Sequence, residues 1–578
     1  MRERAAPSTA TSPEANSTPR GIVAINGLHY RYPGTEDDAL RGVDLEIVPG
    51  EVVVLAGASG SGKSTLLRAI SGLVPHFHGG EIAGSVRVAG LDTRDHRPGA
   101  LARHVGSLFQ DPETQLVMGT VRAELAFPLQ NRGEPPPAVA RAVEEVALAL
   151  AIDGLLERPT AELSGGEQQR VALGATLATR PAVVLLDEPT SQLDPVAGDE
   201  LIGLLRRLSE DSELAIVLSE HRLERCLSAA DRVVALDDGL VACDASPEEF
   251  LAWAVREAPS LATPGARLLA GVGLRPTPGV RRARAALRDA GLLSPGAGLR
   301  DAGLLPSGAG LRDAGLLPSG AALRDAGLRS RPAASPLHDL EHVSAHIRKK
   351  RAPSGERAAD AMKLDGLWYE IPRGPAVLKG ISVAIEPGER VALMGRNGAG
   401  KSTLLRVTAR LAKPTRGTVT TAGRVALLLQ NPTDYLVHDT VAAEGAPAGT
   451  LKAVGLDPCA IATRHPRELS GGEKQRLALA IVLGDLDDSA QAPAVVCLDE
   501  PTRGMDRGVK EDLARLLGTL SAAVLVATHD PEFAAAFADR VLLLGDGTIV
   551  ADGPSADMLA GGIYFATETA RILGPRTQ

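Results

Sequence analysis

Short runs of uninterrupted apolar residues recur in each half of the chain, and polar residues follow every run. In the first half the runs cover residues 52–56 and 183–186, and in the second half they cover residues 391–394 and 495–498. Uninterrupted apolarity is typical of a strand buried on both faces, as in a parallel sheet. Since the order of runs is the same in both halves, the pattern predicts two similar α/β domains.

The segment between the halves has a different pattern. LRDAGLLSPGAG begins at Leu287 and recurs with small changes at Leu299, Leu311 and Leu323, a period of 12 residues. Gly and Pro interrupt helices and strands in every copy, and a short solenoid of this composition would bury little apolar surface, so a flexible linker is favoured. The predicted divisions are a disordered tail (1–20), a first domain (21–255), the linker (256–361), a second domain (362–565) and a C-terminal tail (566–578).

Composition narrows the class of protein. The net charge of -9 disfavours wholesale binding of nucleic acid. The four cysteines form no CxxC pair, which indicates neither a zinc site nor a disulfide framework and fits a reducing cytoplasm. No apolar run reaches the roughly 18 residues that a membrane-spanning helix needs, and the N-terminus lacks the apolar core of a secretory signal. We therefore expect a chain that does not itself cross a membrane.

A glycine-rich segment follows the first apolar run in each half and fits the pattern GxxxxGK[ST] between a strand and a helix. The glycines let backbone N–H groups surround phosphate oxygens, and the helix N-terminus adds a favourable dipole. Lys63 and Lys401 are expected to reach the β- and γ-phosphates, and the hydroxyls of Ser64 and Ser402 to ligate Mg²⁺. The predicted phosphate-binding residues are Gly57, Ser59, Gly60, Gly62, Lys63, Ser64 and Thr65, and in the second half Gly395, Asn397, Gly398, Gly400, Lys401, Ser402 and Thr403.

An Asp-Glu pair ends the second apolar run in each half. Ligands of parallel sheets gather at the carboxyl ends of the strands, where these acids are predicted to lie. Asp187 and Asp499 are expected to hold Mg²⁺ through water. Glu188 and Glu500 are placed to polarise the water that attacks the γ-phosphate. Together with the phosphate-binding loops, the two pairs predict an ATPase that uses ATP and Mg²⁺.

LSGGE occurs at residues 163–167 and 469–473, followed by QQR and KQR. With this string the chain resembles the ABC-transporter ATPase family over nearly everything except the tail and linker. The resemblance implies an α/β fold of two P-loop NTPase (ABC-type) nucleotide-binding domains, or cassettes, each with a helical signature subdomain, joined by a disordered linker. In that family each ATP lies between one cassette's phosphate loop and the other's signature. A pairing within this chain is expected, and pairing between two chains stays open at this point. The implied signature residues are Ser164, Gly165 and Gly166, and Ser470, Gly471 and Gly472.

The resemblance assigns further residues in each cassette. One glutamine looks like the Q-loop residue that senses Mg²⁺ and the attacking water, one aspartate looks like the D-loop aspartate, and one histidine looks like the switch residue that contacts the γ-phosphate. These residues are Gln110, Asp194 and His221 in the first cassette, and Gln430, Asp506 and His529 in the second. Both cassettes thus keep a complete catalytic set.

The adenine contact is expected to differ between the cassettes. Tyr32 looks like the aromatic residue that stacks on adenine in this family. Aligning GLHYRYP with GLWYEIP puts Ile371 opposite Tyr32, and Tyr369 or Trp368 are the alternatives for stacking. The second cassette is also shorter, which indicates two specialised halves.

Within the family, the first cassette looks most like the ATPases of energy-coupling factor (ECF) importers, on the strings HYRYPG, FQDPETQL and LSEHRLE. The second cassette's LLQNPTDYLV is similar. The resemblance implies a peripheral subunit at the cytoplasmic side of the membrane. It would drive a transmembrane coupling subunit and a substrate-binding membrane subunit for vitamins or metal ions, with residues 110–115 and 430–435 bordering the groove for a coupling helix.

Two other interpretations remain open. One is a soluble ABC-F protein acting on the ribosome, which the Gly/Pro-rich linker and the acidic balance disfavour. The other is an ATPase of another ABC class; a DNA-repair or chromosome-structuring ATPase would need coiled-coil or zinc insertions, which the sequence lacks.

Overall fold

The computed structural model describes residues 21–191, 193–293, 360–371, 374–485, 492–560 and 565–573. The predicted N-terminal tail and residues 294–359 of the predicted linker lie outside the described residues. The repeat copies that begin at Leu299, Leu311 and Leu323 are therefore outside them as well.

The first cassette combines a large mixed sheet, a small antiparallel sheet and surrounding helices. Its strands are β1 (Val23–Arg31), β2 (Leu40–Ile47), β3 (Val52–Ala56), β4 (Glu81–Val88), β5 (Leu91–Asp92), β6 (Val105–Leu108), β7 (Val183–Asp187), β8 (Ala215–Ser219), β9 (Arg232–Asp237) and β10 (Leu240–Ala245). Its helices are α1 (Lys63–Ile70), α2 (Leu73–His76), α3 (Pro98–Leu101), α4 (Val121–Asn131), α5 (Pro136–Ala149), α6 (Gly165–Ala178), α7 (Pro195–Ser212), α8 (Leu223–Cys226), α9 (Pro247–Glu257), α10 (Pro264–Gly271) and α11 (Val280–Asp289).

The second cassette repeats this plan with shorter connections. Its strands are β11 (Met362–Glu370), β12 (Ala376–Ile385), β13 (Arg390–Met394), β14 (Arg416–Thr421), β15 (Val425–Leu428), β16 (Val495–Asp499), β17 (Ala523–Ala527), β18 (Arg540–Gly545) and β19 (Thr548–Pro554). Its helices are α12 (Lys401–Thr408), α13 (Ala448–Ala453), α14 (Pro458–Ile461), α15 (Gly471–Leu483), α16 (Arg507–Thr519), α17 (Pro531–Phe537), α18 (Ser555–Met558) and α19 (Glu568–Leu573).

The two large sheets have the same topology. The strand order is β10-β9-β3-β8-β7-β6 in the first cassette and β19-β18-β13-β17-β16-β15 in the second. The strands pair in parallel except for the antiparallel edge strands β10 and β19. The inner strands β3, β8 and β17 are buried along their whole length, because helices and the small sheet cover both faces. The two α/β domains predicted from the apolar runs are confirmed.

The helical signature subdomain is present in both cassettes. In the first cassette, α4 packs on α5 and α6, and in the second the shorter α13 packs on α15. The apolar side chains of these helices join the same core as one face of the large sheet. The second cassette is therefore shorter in this subdomain. It is also shorter before its Q-loop, where its small antiparallel sheet has three strands against four, while both large sheets keep six strands.

The predicted linker starts too early, since residues 256–293 are folded. After α9, a 3-10 turn (Pro259–Leu261) leads into α10 and then α11. Thr263 Oγ1 accepts a hydrogen bond from Ala266 N at 3.2 Å and caps α10, with Pro264 in the first helical position. Leu287, where the first repeat copy begins, is buried in α11. Pro264 begins a helix here, so the composition of this stretch did not mark the true boundary of the folded residues.

The predicted C-terminal tail, 566–578, also contains folded residues. Helix α19 packs against α10 and α11, with Ile572 fully buried between them. Arg284 Nε of α11 donates to the carbonyl oxygen of Ile572 at 3.0 Å. A short helix after a chain's last strand has no signal of its own in the sequence, because its stability depends on the distant helices that it contacts.

A buried carboxylate joins these helices to the second cassette. Glu568 Oε2 accepts a hydrogen bond from Gly265 N at 2.8 Å, and Glu568 N donates to Glu532 Oε1 at 2.6 Å. Burial, reinforced by the charge of Glu224, raises the pKa of Glu568 to about 8. Burial likewise raises the pKa of Glu532 to about 7. Both acids are therefore more stable protonated in this contact than in water.

We predict that the substitution Glu568→Gln reduces the loss of stability at alkaline pH. The folded-state pKa of about 8 lies above the ordinary 4.5, so the contribution of Glu568 is complete below pH 4.5 and lost as the pH rises through 8. Gln keeps an oxygen that accepts from Gly265 N. Between pH 6 and 9 the unfolding midpoint should fall by at least about 3 °C more in the wild type than in the variant, measured by calorimetry. The control E257Q, at an exposed glutamate at the end of α9, should behave like the wild type, and an identical fall in E568Q would contradict the prediction.

Candidate functional site

The predicted catalytic segments meet at one edge of each large sheet. In the first cassette, β3 leads into the phosphate-binding loop, β8 into His221, β7 into Glu188 and β6 into Gln110. Because these four strands are neighbours and parallel, their carboxyl ends lie side by side. Strands β13, β17, β16 and β15 place the corresponding segments of the second cassette in the same way.

Each phosphate-binding loop curls around the lysine that follows it. Lys63 Nζ donates to the carbonyl oxygens of Gly57 and Ala58, both at 2.8 Å, and Lys401 Nζ donates to that of Gly395 at 2.8 Å. Gly57 cannot be replaced, because a Cβ there would collide with the carbonyl oxygen of Leu236 while φ is 146°. Burial lowers the pKa of Lys63, opposed by the charges of Glu188 and Asp187. The lysine thus lies in the loop with its ammonium close to the two acids.

The predicted Mg²⁺ ligands come together in both cassettes. Ser64 lies beside Asp187, and Ser402 lies beside Asp499. Burial raises the pKa of Asp187 and raises that of Asp499 to about 6, although the neighbouring serine hydroxyls act in the opposite direction. A hydroxyl beside a buried carboxylate suits Mg²⁺, which binds through few protein oxygens together with waters and substrate phosphates. The donor set fits the ion.

Each predicted catalytic glutamate is buried against the predicted switch histidine of its cassette. Glu188 Oε1 is 3.1 Å from His221 Nε2 and accepts a hydrogen bond from Gln110 Nε2 at 3.0 Å, while Glu500 Oε2 is 2.9 Å from His529 Nδ1. Burial would raise the pKa of both acids, but the histidines and the loop lysines outweigh it and lower the pKa. Both glutamates have a positive φ, 51° and 49°, a conformation rare outside glycine. Both carboxylates are held ionised on a strained backbone, although each meets a different ring nitrogen of its histidine.

The two cassettes face each other within one chain. Asp506 Oδ2 of the second cassette accepts a hydrogen bond from Ser59 N of the first phosphate-binding loop at 2.9 Å. Gln110 lies against the start of the second signature helix, since a Cβ on Gly471 would be 3.7 Å from its Nε2. Asp111 Oδ1 accepts from Arg503 Nη2 at 2.8 Å. The D-loop and signature of the second cassette therefore border the phosphate loop and glutamine of the first.

The remaining predicted residues, Asp194, Gln430 and Asn397, lie at a helix start or in a cleft near the candidate sites. Asp194 caps α7 by accepting from Val196 N and Ala197 N, at 3.1 and 3.0 Å. Gln430 and Asn397 line a cleft of about 610 Å³ that also reaches Glu188 and Glu500. This cleft runs between the two candidate catalytic glutamates.

The glutamate of each signature string also stabilises the start of the helix that follows, a contact that the sequence-based prediction omitted. Glu473 Oε2 accepts from Ser470 N at 2.8 Å while Ser470 Oγ accepts from Glu473 N at 3.3 Å, which forms a capping box. In the first signature Glu167 Oε2 accepts from Ser164 N at 2.7 Å. The glutamate of LSGGE thus anchors the helix start and leaves the serine exposed at it.

Sequence reasoning missed the two residues that precede the first switch histidine, Ser219 and Glu220. Ser219 Oγ donates to Asp187 Oδ1 at 2.6 Å, a contact that Ala527 cannot make at the equivalent point of β17. Glu220 is 4% exposed and accepts from Thr190 N at 2.9 Å. The sequence already shows this difference, because LSEHR in the first cassette corresponds to VATHD in the second. The two sites are therefore alike in their candidate catalytic groups and unlike in the residues that support them.

The adenine-contact candidates also differ. The Tyr32 hydroxyl is 3.2 Å from Thr65 Oγ1 and accepts from Arg68 Nη1 at 2.7 Å. In the second cassette, Tyr369 pairs with Leu378 as the buried Tyr30 pairs with Leu40. An arginine guanidinium covers the ring of Trp368. Tyr369 and Trp368 therefore do not occupy the position that corresponds to Tyr32. Ile371 occupies that position in the second cassette, and it is 46% exposed.

Sequence comparison places this arrangement in a family. Residues 40–191 and 378–503 match the pattern of the family described as ABC transporter. ABC transporter ATP-binding proteins from Streptomyces coelicolor and Streptomyces avermitilis are 39% and 41% identical, each over 96% of this chain and 98% of their own. A solved structure of cbiO1 from Clostridium perfringens, described as part of the ABC transporter complex cbiONQ, is 28% identical over 42% of this chain and 93% of its own, with a TM-score of 0.37.

The chain belongs to the ABC transporter ATP-binding proteins. It is an ATPase with two cassettes in one polypeptide, and it uses ATP with Mg²⁺. Among the residues that the structure describes, no helix combines the length and apolar character required to cross a membrane.

We predict that Tyr32→Ala weakens ATP binding at the first cassette by about 5- to 100-fold, the range expected for loss of a stacked base. Tyr32→Phe should retain the affinity, because it keeps the aromatic ring and loses only the hydroxyl contacts. The measurement is titration with a fluorescent ATP analogue under non-hydrolysing conditions. Ile371→Ala is the matched control and should change affinity less than about twofold. Equal weakening by Y32F and Y32A would refute stacking.

Proposed function

We propose that this ATPase is the energy-coupling subunit of an ECF-type importer for vitamins or metal ions. It would act at the cytoplasmic side of the membrane on a transmembrane coupling subunit and a substrate-binding membrane subunit. Each of its two composite ATP sites would combine one cassette's phosphate loop with the other's signature. The observation that carries the proposal is a pair of matching, rigidly anchored loops with exposed apolar side chains, one in each cassette.

Both Q-loops are anchored to the strand that precedes them. In the first cassette Gln115 Oε1 accepts from Phe109 N at 3.1 Å, and Gln115 Nε2 donates to the Ser107 carbonyl at 2.7 Å. In the second, a tyrosine hydroxyl makes both bonds: Tyr435 accepts from Leu429 N at 3.0 Å and donates to the Leu427 carbonyl at 2.9 Å. Two different side chains give the same loop geometry, which supports a common use for the loops.

Each anchored loop exposes apolar side chains beside a catalytic glutamine. Val117 is 64% exposed seven positions after Gln110, and Val437 is 76% exposed seven positions after Gln430. Phe109, next to Gln110, is 39% exposed. Large apolar side chains held in water on an ordered loop favour a contact with another protein. A force on this surface would reach the Gln110 amide, which donates to Glu188.

The site geometry supports hydrolysis driven by the buried glutamates. An ionised Glu188 or Glu500 is able to orient a water and accept its proton as the water attacks the γ-phosphate. His221 and His529 hold these carboxylates in position, and Lys63 and Lys401 neutralise phosphate charge. Bound Mg²⁺ would supply charge neutralisation at the phosphates, held by Ser64 with Asp187 and by Ser402 with Asp499.

The same contacts couple hydrolysis to movement. ATP would hold the cassettes together, because its γ-phosphate is contacted from both of them. Loss of that phosphate removes the contact, and the difference in affinity of ATP and ADP for the closed form supplies the work.

We predict that the double variant E188Q/E500Q loses at least about 100-fold in kcat and still binds ATP, because Gln cannot accept the proton. Phosphate release and retention of labelled ATP measure the two effects. E248Q/E386Q, which changes two surface glutamates, is the matched control. Hydrolysis at the parental rate in E188Q/E500Q would show that these residues are not the bases.

We predict that V117E/V437E loses its membrane partners and keeps its hydrolytic activity in the purified state. A charge on each anchored loop would oppose contact with an apolar helix. The measurement is affinity purification from solubilised membranes with identification of the bound subunits, beside ATPase assays. V550E, at a valine 58% exposed on β19, is the matched control.

The same purification separates the alternatives. A coupling subunit together with a substrate-binding membrane subunit supports the ECF type, and membrane subunits of another kind indicate a different ABC transporter. Ribosomes in place of membrane subunits would support the ABC-F interpretation and overturn the importer.

A further inference from the structure

The residue after each switch histidine differs in charge between the cassettes. Arg222 follows His221 in the first cassette, and Asp530 follows His529 in the second. The two side chains meet across the boundary between the cassettes, with 3.8 Å between Arg222 Nη2 and Asp530 Oδ1. Two equivalent positions thus carry opposite charges and face each other.

The charge of Arg222 is buried and depends on acids from both cassettes. Its side chain is 14% exposed, and its Nε and Nη1 atoms are buried with no hydrogen-bond partner. Glu224 of its own cassette lies 3.7 Å from Nε. Although burial acts to lower it, the pKa of Arg222 is raised by the charges of Asp530 and Glu224. Burying a guanidinium without direct hydrogen bonds costs free energy unless carboxylates surround it. Arg222 is therefore stable in this place only when the second cassette supplies the carboxylate of Asp530.

Asp530 is itself tied to two elements of the second cassette. Its Oδ1 accepts from Glu532 N and Phe533 N at 3.1 and 3.2 Å and caps α17. Its Oδ2 accepts from Lys510 Nζ of α16 at 2.9 Å. The pKa of Asp530 is well below its ordinary value, because Arg222 and Lys510 outweigh the effect of burial. Arg222 therefore contacts a fixed point and not a mobile side chain.

The contact between Arg222 and Asp530 is one of several that join the cassettes close to the candidate sites. Helix α16, which carries Lys510, begins after Asp506, and Asp506 accepts from Ser59 N of the first phosphate-binding loop. The path leaves the first cassette at Arg222 and returns to it at Ser59. Arg222, Lys510 and Asp530 also line the cleft that runs between Glu188 and Glu500.

We propose that Arg222 is a positioning residue that holds the two switch loops in register, so that His221 and His529 reach their glutamates together when the cassettes close. Pairing of two like cassettes would place Arg against Arg or Asp against Asp at this point. The contact therefore favours pairing of a first with a second cassette. The proposal requires the ATPase activity alone and does not depend on the importer or on its cargo.

The test is a double-mutant cycle in the full chain with R222Q, D530N and R222Q/D530N. Asn keeps the ability to cap α17, so D530N removes the charge and leaves the helix start intact. We expect R222Q to lower kcat about tenfold with KM for ATP changed less than about twofold, because Arg222 is expected to act on closure and not on nucleotide binding. The double variant should lose no more than the worse single variant, which corresponds to a coupling of about 5- to 30-fold.

R222K and a control cycle distinguish positioning from simple stability. R222K should recover most of kcat, since the ammonium can still face Asp530. The control pair is Arg206 and Asp231, an ion pair at 2.7 Å within the first cassette. R206Q and D231N should leave kcat unchanged. Independent losses in the cycle, an unchanged kcat in R222Q, a rise in KM that accounts for the loss, or no recovery in R222K would each overturn the proposal.

Discussion

Parallel pairing of four neighbouring strands is the constraint on which both sites depend. Strands β3, β8, β7 and β6 end at a common edge, and so do β13, β17, β16 and β15. Parallel strands with both faces covered must be apolar along their length, so the polar residues can begin only where each strand ends. A lysine, a histidine, two acids and a glutamine are consequently brought together from segments far apart in the chain. The burial of Glu188 and Glu500 against histidines follows from the same geometry.

Burial at this edge makes the charges interdependent. Glu188 is ionised because His221 and Lys63 compensate for its loss of water, whereas burial dominates at Asp187 and raises its pKa. The same balance recurs between the cassettes, where Arg222 and Asp530 are both buried and each stabilises the charge of the other. A charged group in such a place needs its partner, so the contact between cassettes is specific as well as stabilising.

The phosphate-binding loops, the acid pairs, the signature helices and the two sheets could be predicted from the sequence. Each depends on local rules: Gly57 adopts a φ of 146°, and Ser470 with Glu473 forms a cap within one helical turn. The linker boundary could not be predicted in this way. Helices α10 and α19 are short, and they are stable because they pack on each other and on α11, a contact between residues about 300 positions apart.

The sequence by itself determined the class of fold and identified the candidate catalytic groups and their duplication, because strand patterns and phosphate-loop motifs consist of consecutive residues. Only the tertiary structure decided which groups support each site: Ser219 beside Asp187, Gln110 against the opposite signature, and Arg222 facing Asp530. These contacts join residues from different strands or different cassettes. Their existence depends on how two folded units bury charge against each other, and no local pattern encodes that.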